Sequence, residues 1–465
     1  MEIAGQKADL VIANPNGIAI NGGGYINTAS AVLAAAPVQN RAGHVDFAAP
    51  SADILIQGEG LDADTTNKLI IQTKNFTNDA SELWANSLEL TAGGILYNSG
   101  KLAADQDMQL HADNLTNEKS AVITGGGTLS ITAAESIKNN SAVIHGGADS
   151  TMTAQTIDNT DKAAIYSDEN LLLTAGKSLV NDDSVVKTGK DADLQAASLT
   201  GTGAEITAGG RLTASAGVIN NTNTNLAAKE SVSLTALGSI KNQNTAIYAD
   251  KDLTIKAAAL LNKTSLLAAG GQTGLSTGIL ENTDSSVIYG SSDMNIAASD
   301  YLLNSSSDIE SGQNLYITAG RLTNEKTAFD TDWTITHQDI SYGIAHWNGN
   351  YYSASRRFDR EIKTGTIEKE TPTAHITADK NVAVTVNKLV NHYSEITAGT
   401  DLAVNAADSL ENLGYQGTII ATDTGNDYQN WKYKKKGRWW KHSHWVYGTT
   451  VVPYYDQNIT DGTTQ

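Results

Sequence analysis

The sequence predicts an all-β fold, a right-handed parallel β-helix with about 20 residues per coil. A short apolar segment that ends in asparagine recurs at steps of 19 to 22 residues. Between these asparagines apolar residues alternate with polar ones, which is the period of strands and not of helices. Only 6% of the residues are aromatic, so the large side chains of a globular core are lacking. A repeat that packs only on its neighbours accounts for all three observations.

The recurring asparagine marks the same corner of each coil. Coils that stack about 4.8 Å apart would place these residues in one column, where their side-chain amides can bond to one another as a ladder. Asparagine also tolerates the left-handed backbone conformation, and we expect the column to occupy a turn of that kind. The predicted column contains Asn78, Asn98, Asn117, Asn139, Asn159, Asn181, Asn220, Asn242, Asn262, Asn282, Asn304 and Asn324, with a variant at Gly201.

Aliphatic residues at two further positions supply the predicted core. One lies five or six residues after the asparagine, as at Ile165 and Ile247. An alternating pair follows a Gly- or Asp-rich turn, as at Leu171 and Leu173. Three short strands of this kind form one coil, and we expect roughly 18–20 coils in all.

Charge and composition bound the function. The net charge of −19 argues against nucleic acid as a partner, because phosphate binding requires a basic face. The chain contains no cysteine, so disulfides and cysteine-bound metals are excluded. No apolar run reaches the 18 residues of a membrane helix. We expect a monomer without cofactor or membrane-spanning segment. The N-terminal residues do not read as a signal peptide, which favours an internal fragment.

A short motif near the N-terminus carries a family resemblance. It consists of Asn14, Pro15, Asn16, Gly17 and Ile18, and residues 22–28 follow with the sequence GGGYINT. This segment closely resembles the second half of the two-partner-secretion domain of filamentous haemagglutinins and CdiA-like exoproteins of contact-dependent growth inhibition. Residues 58–63 and 83–86 resemble the later part of that domain, and the repeats after about residue 90 are similar to haemagglutinin repeats.

The resemblance implies an exoprotein that is exported through a dedicated outer-membrane transporter and projects from a Gram-negative cell. Its stalk would present an adhesive or receptor-binding region to a neighbouring cell, for contact-dependent toxin delivery, and an outer-membrane protein or lipopolysaccharide would be the receptor. The alternative is an adhesin filament whose shaft has no binding role. The family's signal peptide and its earlier "NPNL" turn are not in this sequence. The resemblance therefore implies a fragment that is not itself competent for secretion and that lacks any toxin domain.

The repeat fails twice after Asn324, and these breaks complete the predicted domain organisation. We expect the end of the secretion domain at 1–90, a repeat shaft at 91–328, an aromatic and basic insertion at 329–375, further coils at 376–424 and a second such insertion at 425–465. Trp347 to Tyr351 read as a hairpin tip, and so do Lys434 to Gly437. Six of the seven tryptophans follow residue 330.

The two insertions are the predicted binding surface, because Trp, Tyr and Arg dominate interface energetics. One alternative is that their aromatic residues pack on the flank of the β-helix. The other is that the basic residues only keep a hairpin tip hydrated and bind no partner. Exposure of the tryptophans discriminates between binding and scaffold. The candidate residues are Trp347, Tyr351, Tyr352, Arg356, Arg357, Trp431, Lys434, Lys435, Arg438, Trp439, Trp440 and Trp445.

Catalysis is the rival class, because parallel β-helices also house polysaccharide lyases and hydrolases. Asp161 and Asp183 occupy equivalent turn positions on adjacent coils, near the carboxylate separation of retaining glycosidases. The same turn holds Ser141 and Gly203 in the flanking coils, so a solvated acidic turn is the better interpretation. His442 and His444 share one strand face, but no third metal ligand accompanies them. We therefore predict neither an enzyme nor a metal site.

Overall fold

The computed structural model of the protein describes residues 1–41, 44–345 and 351–464. Every regular element among these residues is a β-strand. The predicted parallel β-helix is confirmed: the strands form a solenoid of about 19 turns with roughly 21 residues per turn.

The strands follow one another along the chain with short connections. The first nine are β1 Ala8–Ala13, β2 Ile18–Asn21, β3 Thr28–Ala34, β4 Val38–Arg41, β5 His44–Phe47, β6 Ile54–Gly58, β7 Leu61–Ala63, β8 Lys68–Thr73 and β9 Phe76–Ala80. The regular coils contain β10 Leu83–Ala85, β11 Leu88–Ala92, β12 Ile95–Asn98, β13 Lys101–Ala104, β14 Met108–Glu118, β15 Val122–Gly125, β16 Leu129–Asn140, β17 Val143–Gly146, β18 Ser150–Thr160, β19 Ala164–Ser167, β20 Leu171–Asp182, β21 Val185–Thr188, β22 Ala192–Thr202, β23 Glu205–Ala208, β24 Leu212–Thr222, β25 Asn225–Ala228, β26 Val232–Ala236, β27 Ser239–Gln243, β28 Ala246–Ala249, β29 Leu253–Lys263, β30 Leu266–Ala269, β31 Thr273–Thr283, β32 Val287–Gly290, β33 Met294–Ser305, β34 Asp308–Ser311 and β35 Leu315–Glu325. The C-terminal part contains β36 Phe329–Gly343, β37 Tyr351–Glu370, β38 His375–Ala378, β39 Val382–His392, β40 Glu395–Ala398, β41 Leu402–Leu413, β42 Gln416–Lys435 and β43 His444–Thr464.

Each regular coil has three faces. One long strand such as β16 bends at a register shift between Thr132 and Ser136 and so supplies two faces. A four-residue strand such as β17 supplies the third. Successive coils pair in parallel. Within the described residues, 22 strands on the first two faces form one sheet and 15 short strands on the third face form another. Strands β4 and β5 form a separate antiparallel pair.

The core lies inside the coils, in columns of stacked aliphatic side chains. Ile165 stacks between Ile144 and Val186 of the coils before and after it. Leu171 and Leu173 line the next face, and all of these side chains are almost fully buried. The predicted alternating residues therefore face inward, and burial of this apolar surface stabilises each coil against its neighbours.

The asparagine column forms a buried ladder of side-chain hydrogen bonds. Asn139 Nδ2 donates to Asn159 Oδ1 at 2.8 Å, and Asn159 Nδ2 donates to Asn181 Oδ1 at 2.7 Å. The same amides also donate to backbone oxygens; Asn159 Nδ2 contacts the carbonyl oxygen of Val185 at 3.1 Å. The ladder thus ties the end of each long strand to the short strand that follows in the next coil.

Two expectations about this column were wrong. The column asparagines lie in strands, and the left-handed residue lies two positions later, at Asp161 after Asn159 and at Asp183 after Asn181. The inward amide needs extended backbone, so the chain reverses only after it. The column member in its coil is Asn221 and not Asn220, because Asn221 pairs with Gly201 and with Asn242.

Breaks in the ladder explain several buried polar atoms that have no hydrogen-bond partner within the described part of the chain. Gly201 has no side-chain amide to donate, and the Oδ1 atom of Asn221 in the next coil is unpaired. Asn242 Nδ2 and Asn262 Oδ1 are also unpaired, which marks a second break between these two coils. The strands nevertheless stay in register across both breaks.

The chain forms two compact units. The coil unit comprises Met1–Asn324, Ala374–Val390 and Glu395–Leu410, and the sheet unit comprises Glu325–Thr373, Asn391–Ser394 and Glu411–Gln465. The structure differs from the prediction at residues 416–424, which were assigned to a further coil. They belong to β42, a strand of the antiparallel sheet described below. The short apolar run from Ile419 to Ala421 resembles a coil strand, but β42 pairs antiparallel with β37 and β43.

Candidate functional site

The two aromatic insertions form one antiparallel sheet of four strands, in the order β36, β37, β42 and β43. Strand β37 comes from the first insertion and β42 from the second. They pair from Tyr351 opposite Trp431 to Thr364 opposite Ile419. The sheet unit therefore has a single surface built from both segments, which the sequence interpretation treated as separate.

Two arginine–aspartate pairs join the inner strands. Arg356 donates from Nε to Asp427 Oδ1 at 2.7 Å and from Nη2 to Asp427 Oδ2 at 3.0 Å. Arg360 makes the equivalent bonds to Asp423 at 2.7 and 2.8 Å. Hydrogen bonds from the guanidinium groups hold the pKa of both carboxyl groups below the ordinary value. Such bidentate pairs combine strength with a fixed geometry, so they set the register between β37 and β42.

Arg356 is consequently part of the sheet's internal framework. Its guanidinium carbon lies 3.6 Å from the ring centroid of Tyr454, and it is held between that ring and Asp427. Phe358 is buried and packs against Tyr454 and Tyr342. Arg357 lies 5.5 Å from the ring of Tyr428. Of the predicted binding residues, Arg356 therefore already has a structural role.

Trp431 also has a packing role. Its ring covers Gly448 on the neighbouring strand and occupies the space that a Cβ atom at that position would take. Its Nε1 donates to Thr450 Oγ1 at 3.1 Å, and it stacks on Tyr433. A side chain at position 448 would therefore displace the Trp431 indole from this packed position.

The end of the β42–β43 hairpin has a different character. Lys441 N donates to the carbonyl oxygen of Arg438 at 2.7 Å and closes a tight turn. Trp439 and Trp440 occupy the two corners of this turn and are 93% and 61% exposed. Trp445, on the adjoining strand, is 50% exposed. We call residues 431–447 the apex.

The apex is uniformly cationic. Between Asp427 and Asp456 there is no acidic residue, in a chain whose net charge is −19. The cations are Lys432, Lys434, Lys435, Lys436, Arg438 and Lys441. Lys432 Nζ lies 5.4 Å from the ring of Trp445 and 5.6 Å from that of Tyr352. Aromatic and basic side chains thus share one face of the apex.

The remaining candidates of the first insertion are placed only in part. Trp347 and its predicted hairpin tip at 347–350 lie outside the described residues. Tyr351 lies opposite Trp431 in the strand pairing. Tyr352 is 47% exposed and makes an edge contact with Tyr447. Tyr352 therefore belongs to the aromatic face of the apex.

The N-terminal motif forms a turn between β1 and β2. Asn14 Oδ1 accepts a hydrogen bond from the backbone N of Asn16 at 3.0 Å, and Gly17 N donates to the carbonyl oxygen of Asn14 at 3.1 Å. Gly17 has a φ of 107°, and a Cβ atom there would lie 3.0 Å from the carbonyl oxygen of Asp53. Glycine is therefore required at this corner, and Ile18 begins the next strand.

Asp161 and Asp183, the discounted catalytic pair, are exposed turn residues with left-handed backbone. A shallow groove of about 960 Å³ crosses the short-strand sheet over His145, Tyr166 and Lys187. No group of three potential metal ligands occurs among residues 1–41, 44–345 and 351–464. Within the same ranges no helix is long and apolar enough to span a membrane.

Comparison with known proteins decides the family. Residues 1–171 match the TPS secretion domain. Residues 170–244, 238–338 and 370–414 match the haemagglutinin repeat. The chain belongs to the two-partner-secretion exoproteins of the filamentous haemagglutinin and CdiA type. Together the matches cover the coil unit almost completely and leave out most of the sheet unit.

Several curated relatives of this exoprotein carry the name CdiA. "Toxin CdiA" of Yersinia pestis is 36% identical over 94 residues, which is 20% of this chain and 3% of the relative. "16S rRNA endonuclease CdiA" of Enterobacter cloacae is 31% identical over 126 residues, or 27% of this chain and 4% of the relative. "Toxin CdiA" of Escherichia coli is 32% identical over 143 residues, or 29% and 4%. The chain thus spans only a few per cent of their length, and no solved structure matches it.

Proposed function

We propose that this exoprotein segment is a surface stalk whose sheet unit contacts a neighbouring cell. The coil unit supports the stalk role, because each coil packs on the next through the same columns and the array extends by repetition. The family matches support export through a cognate outer-membrane transporter and a location outside the cell. In this proposal the transporter is the partner of the whole exoprotein, and the target cell supplies the receptor.

The observation that carries the recognition role is the exposure of Trp439, Trp440 and Trp445. Tryptophan is costly to expose to water and is enriched at binding hot spots. Trp431 shows what a packed tryptophan looks like in the same hairpin: it covers Gly448 and donates a hydrogen bond. Trp439, Trp440 and Trp445 are each at least half exposed, which supports binding over scaffold.

Toxin delivery is the finer part of the proposal. The relatives in Yersinia pestis, Enterobacter cloacae and Escherichia coli are named as toxins or nucleases. We infer that this exoprotein takes part in contact-dependent growth inhibition and that its sheet unit contributes to recognition of the target cell. A filament shaft without a binding role is the alternative, and the partners of the apex decide between them.

The experiment compares binding of the labelled full chain to Gram-negative cells with binding of two variants. The apex variant carries Trp439→Ser and Trp440→Ser, and both residues are exposed, so the fold is retained. The control variant carries Tyr455→Ser and Ile459→Ser, which are 66% and 64% exposed on the same hairpin. Saturable binding that only the apex variant loses supports recognition by the sheet unit. Equal binding of all three chains, or binding by none, contradicts it.

A further inference from the structure

We propose that the apex binds a phosphate-bearing lipid surface and inserts Trp439 and Trp440 into its interface. The inference rests on the proposed function, since it names the class of partner that the sheet unit contacts. Three features of the apex support it: the position of the two tryptophans in the turn, the charge around them and the shape of the surface.

Trp439 and Trp440 occupy an unusual position for tryptophan. The hydrogen bond from Lys441 N to the carbonyl oxygen of Arg438 places Trp439 and Trp440 at both corners of the turn. Such corners favour Gly, Pro, Asn, Asp and Ser, because those residues suit the local backbone. Turn conformation therefore does not account for two tryptophans here. Their rings contact each other edge to face, with 5.6 Å between the ring centroids, and so form one apolar knob on the turn.

Positive charge surrounds the two tryptophans. Arg438 and Lys441 flank the knob directly, and Lys434, Lys435 and Lys436 precede it. Six cations without an acidic residue in this stretch oppose the strongly negative remainder of the chain. Basic clusters of this kind are attracted to anionic lipid headgroups by about 1 kcal/mol for each cation near the surface. The apex is thus complementary to a layer of phosphates.

The shape of the apex favours a lipid surface over a protein receptor. A protein hot spot is a cluster of anchors that fills pockets of a matching partner, with charged groups largely excluded from its centre. The apex instead has a protruding aromatic knob surrounded by cations of one sign. Tryptophan rings prefer the headgroup level of a bilayer, because the apolar part of the ring contacts the lipid there while its N–H group stays hydrated. A deformable lipid interface can accommodate the aromatic knob and the surrounding cations at the same time.

The test uses the full chain and two kinds of vesicle, one of phosphatidylcholine alone and one that also contains phosphatidylglycerol. We expect co-sedimentation with the anionic vesicles, a blue shift of tryptophan fluorescence and binding that weakens as salt rises. Lys434→Gln, Lys435→Gln and Lys436→Gln together should weaken binding on the order of 100-fold. Trp439→Ser with Trp440→Ser should weaken it about tenfold and abolish the shift.

A matched control removes the same charge from the coil unit. Lys177, Lys229 and Lys241 are exposed, and their replacement by glutamine leaves vesicle binding within about twofold. Unchanged circular dichroism and unfolding midpoints confirm that each variant is folded. Inorganic phosphate serves as the soluble competitor, because it offers the phosphate without the lipid.

Three outcomes overturn the inference. Binding that inorganic phosphate abolishes and that the tryptophan variant retains indicates a phosphate site without insertion. Binding to cells with no binding to either vesicle leaves the proposed function standing but removes the lipid as its partner. Loss of cell binding after protease treatment of the cells, together with inert vesicles, assigns the apex to a protein receptor.

Discussion

The coil unit and the sheet unit are both built from β-strands, yet different interactions hold them. In the coil unit each strand turns aliphatic side chains inward, and residues such as Ile165, Ile247 and Ile288 are completely buried. In the described strands of the antiparallel sheet only Ala354 and Phe358 are buried hydrophobic residues, beside Asp423, Asp427 and Gln429. Strand pairing and ion pairs therefore hold this sheet together, and several large side chains, such as Trp439, Trp440 and Tyr455, are exposed at its surface.

The difference separates stability from recognition. A column of inward aliphatic side chains packs well but leaves few large side chains on the surface for a partner to bind. In the sheet, the pairs of Arg356 and Arg360 with their aspartates join the inner strands, while aromatic residues such as Trp439, Trp440 and Tyr455 are exposed. One region is thus extended by repetition, and the other can change its surface without disturbing a core.

The largest difference in stability is expected when the same residue type is truncated in both units. Ile247→Ala creates a cavity between Leu226 and Leu267 and should lower the free energy of unfolding by about 2–4 kcal/mol. Ile459→Ala, at a site 64% exposed, should change it by less than about 0.5 kcal/mol. Denaturant midpoints of the two variants provide the measurement. Equal midpoints would mean that the coil has no tightly packed core.

A rung of the asparagine ladder gives the next largest effect. Asn159→Ala removes the acceptor of Asn139 Nδ2 and the donor to Asn181 Oδ1, so buried polar atoms lose partners. We expect a loss of about 2 kcal/mol. The exposed Asn225→Ala serves as control, with a change below about 0.5 kcal/mol. If both variants unfold at the same denaturant concentration, the ladder does not contribute to stability.

The ion pairs of the sheet should give a smaller and local effect. Asp427→Asn removes the charge that Arg356 binds and should cost about 1–2 kcal/mol. Faster amide hydrogen exchange is expected in β37 and β42 and not in the coil strands. Asp330→Asn removes a charge at an exposed site of the same sheet and should leave exchange unchanged. Uniformly faster exchange across both units would show that the pair does not act locally.

Acid should weaken the same strands. The folded pKa values of Asp423 and Asp427 lie below the unfolded value of about 3.9. The two carboxylates therefore contribute fully to the free energy of unfolding above the unfolded pKa, and this contribution is lost as the pH falls through the folded pKa. Exchange measured across this range should show β37 and β42 opening in acid. The double variant Asp423→Asn, Asp427→Asn should lack this component, and an identical acid profile would contradict the assignment.

The sequence predicted the coil unit well because its signal is repeated. One asparagine position is weak evidence, but a period near 20 residues fixes the register of stacked coils and the inward face. Details within one repeat were harder to obtain. The left-handed residue lies two positions past Asn159, and Asn220 and Asn221 are neighbours of which only the second faces inward. Periodicity does not distinguish such alternatives.

The sheet unit was predicted only as two aromatic segments, because pairing between distant strands leaves no periodic signal. One pattern does indicate the pairing afterwards. Arg356 and Arg360 are four residues apart, as are Asp423 and Asp427, and the first arginine binds the second aspartate. Matching spacing in reverse order is what an antiparallel pair requires. The binding residues proposed at the apex stay a prediction.

The central claim is that the sheet unit, and not the coil unit, contacts the target cell. Hydrogen–deuterium exchange of the full chain with and without outer-membrane vesicles from Gram-negative cells tests it most directly. We predict slower exchange confined to residues 431–447, with the coil strands unchanged. Protection over His145, Tyr166 and Lys187 on the short-strand sheet, with none at the apex, would contradict the account and place recognition on the stalk.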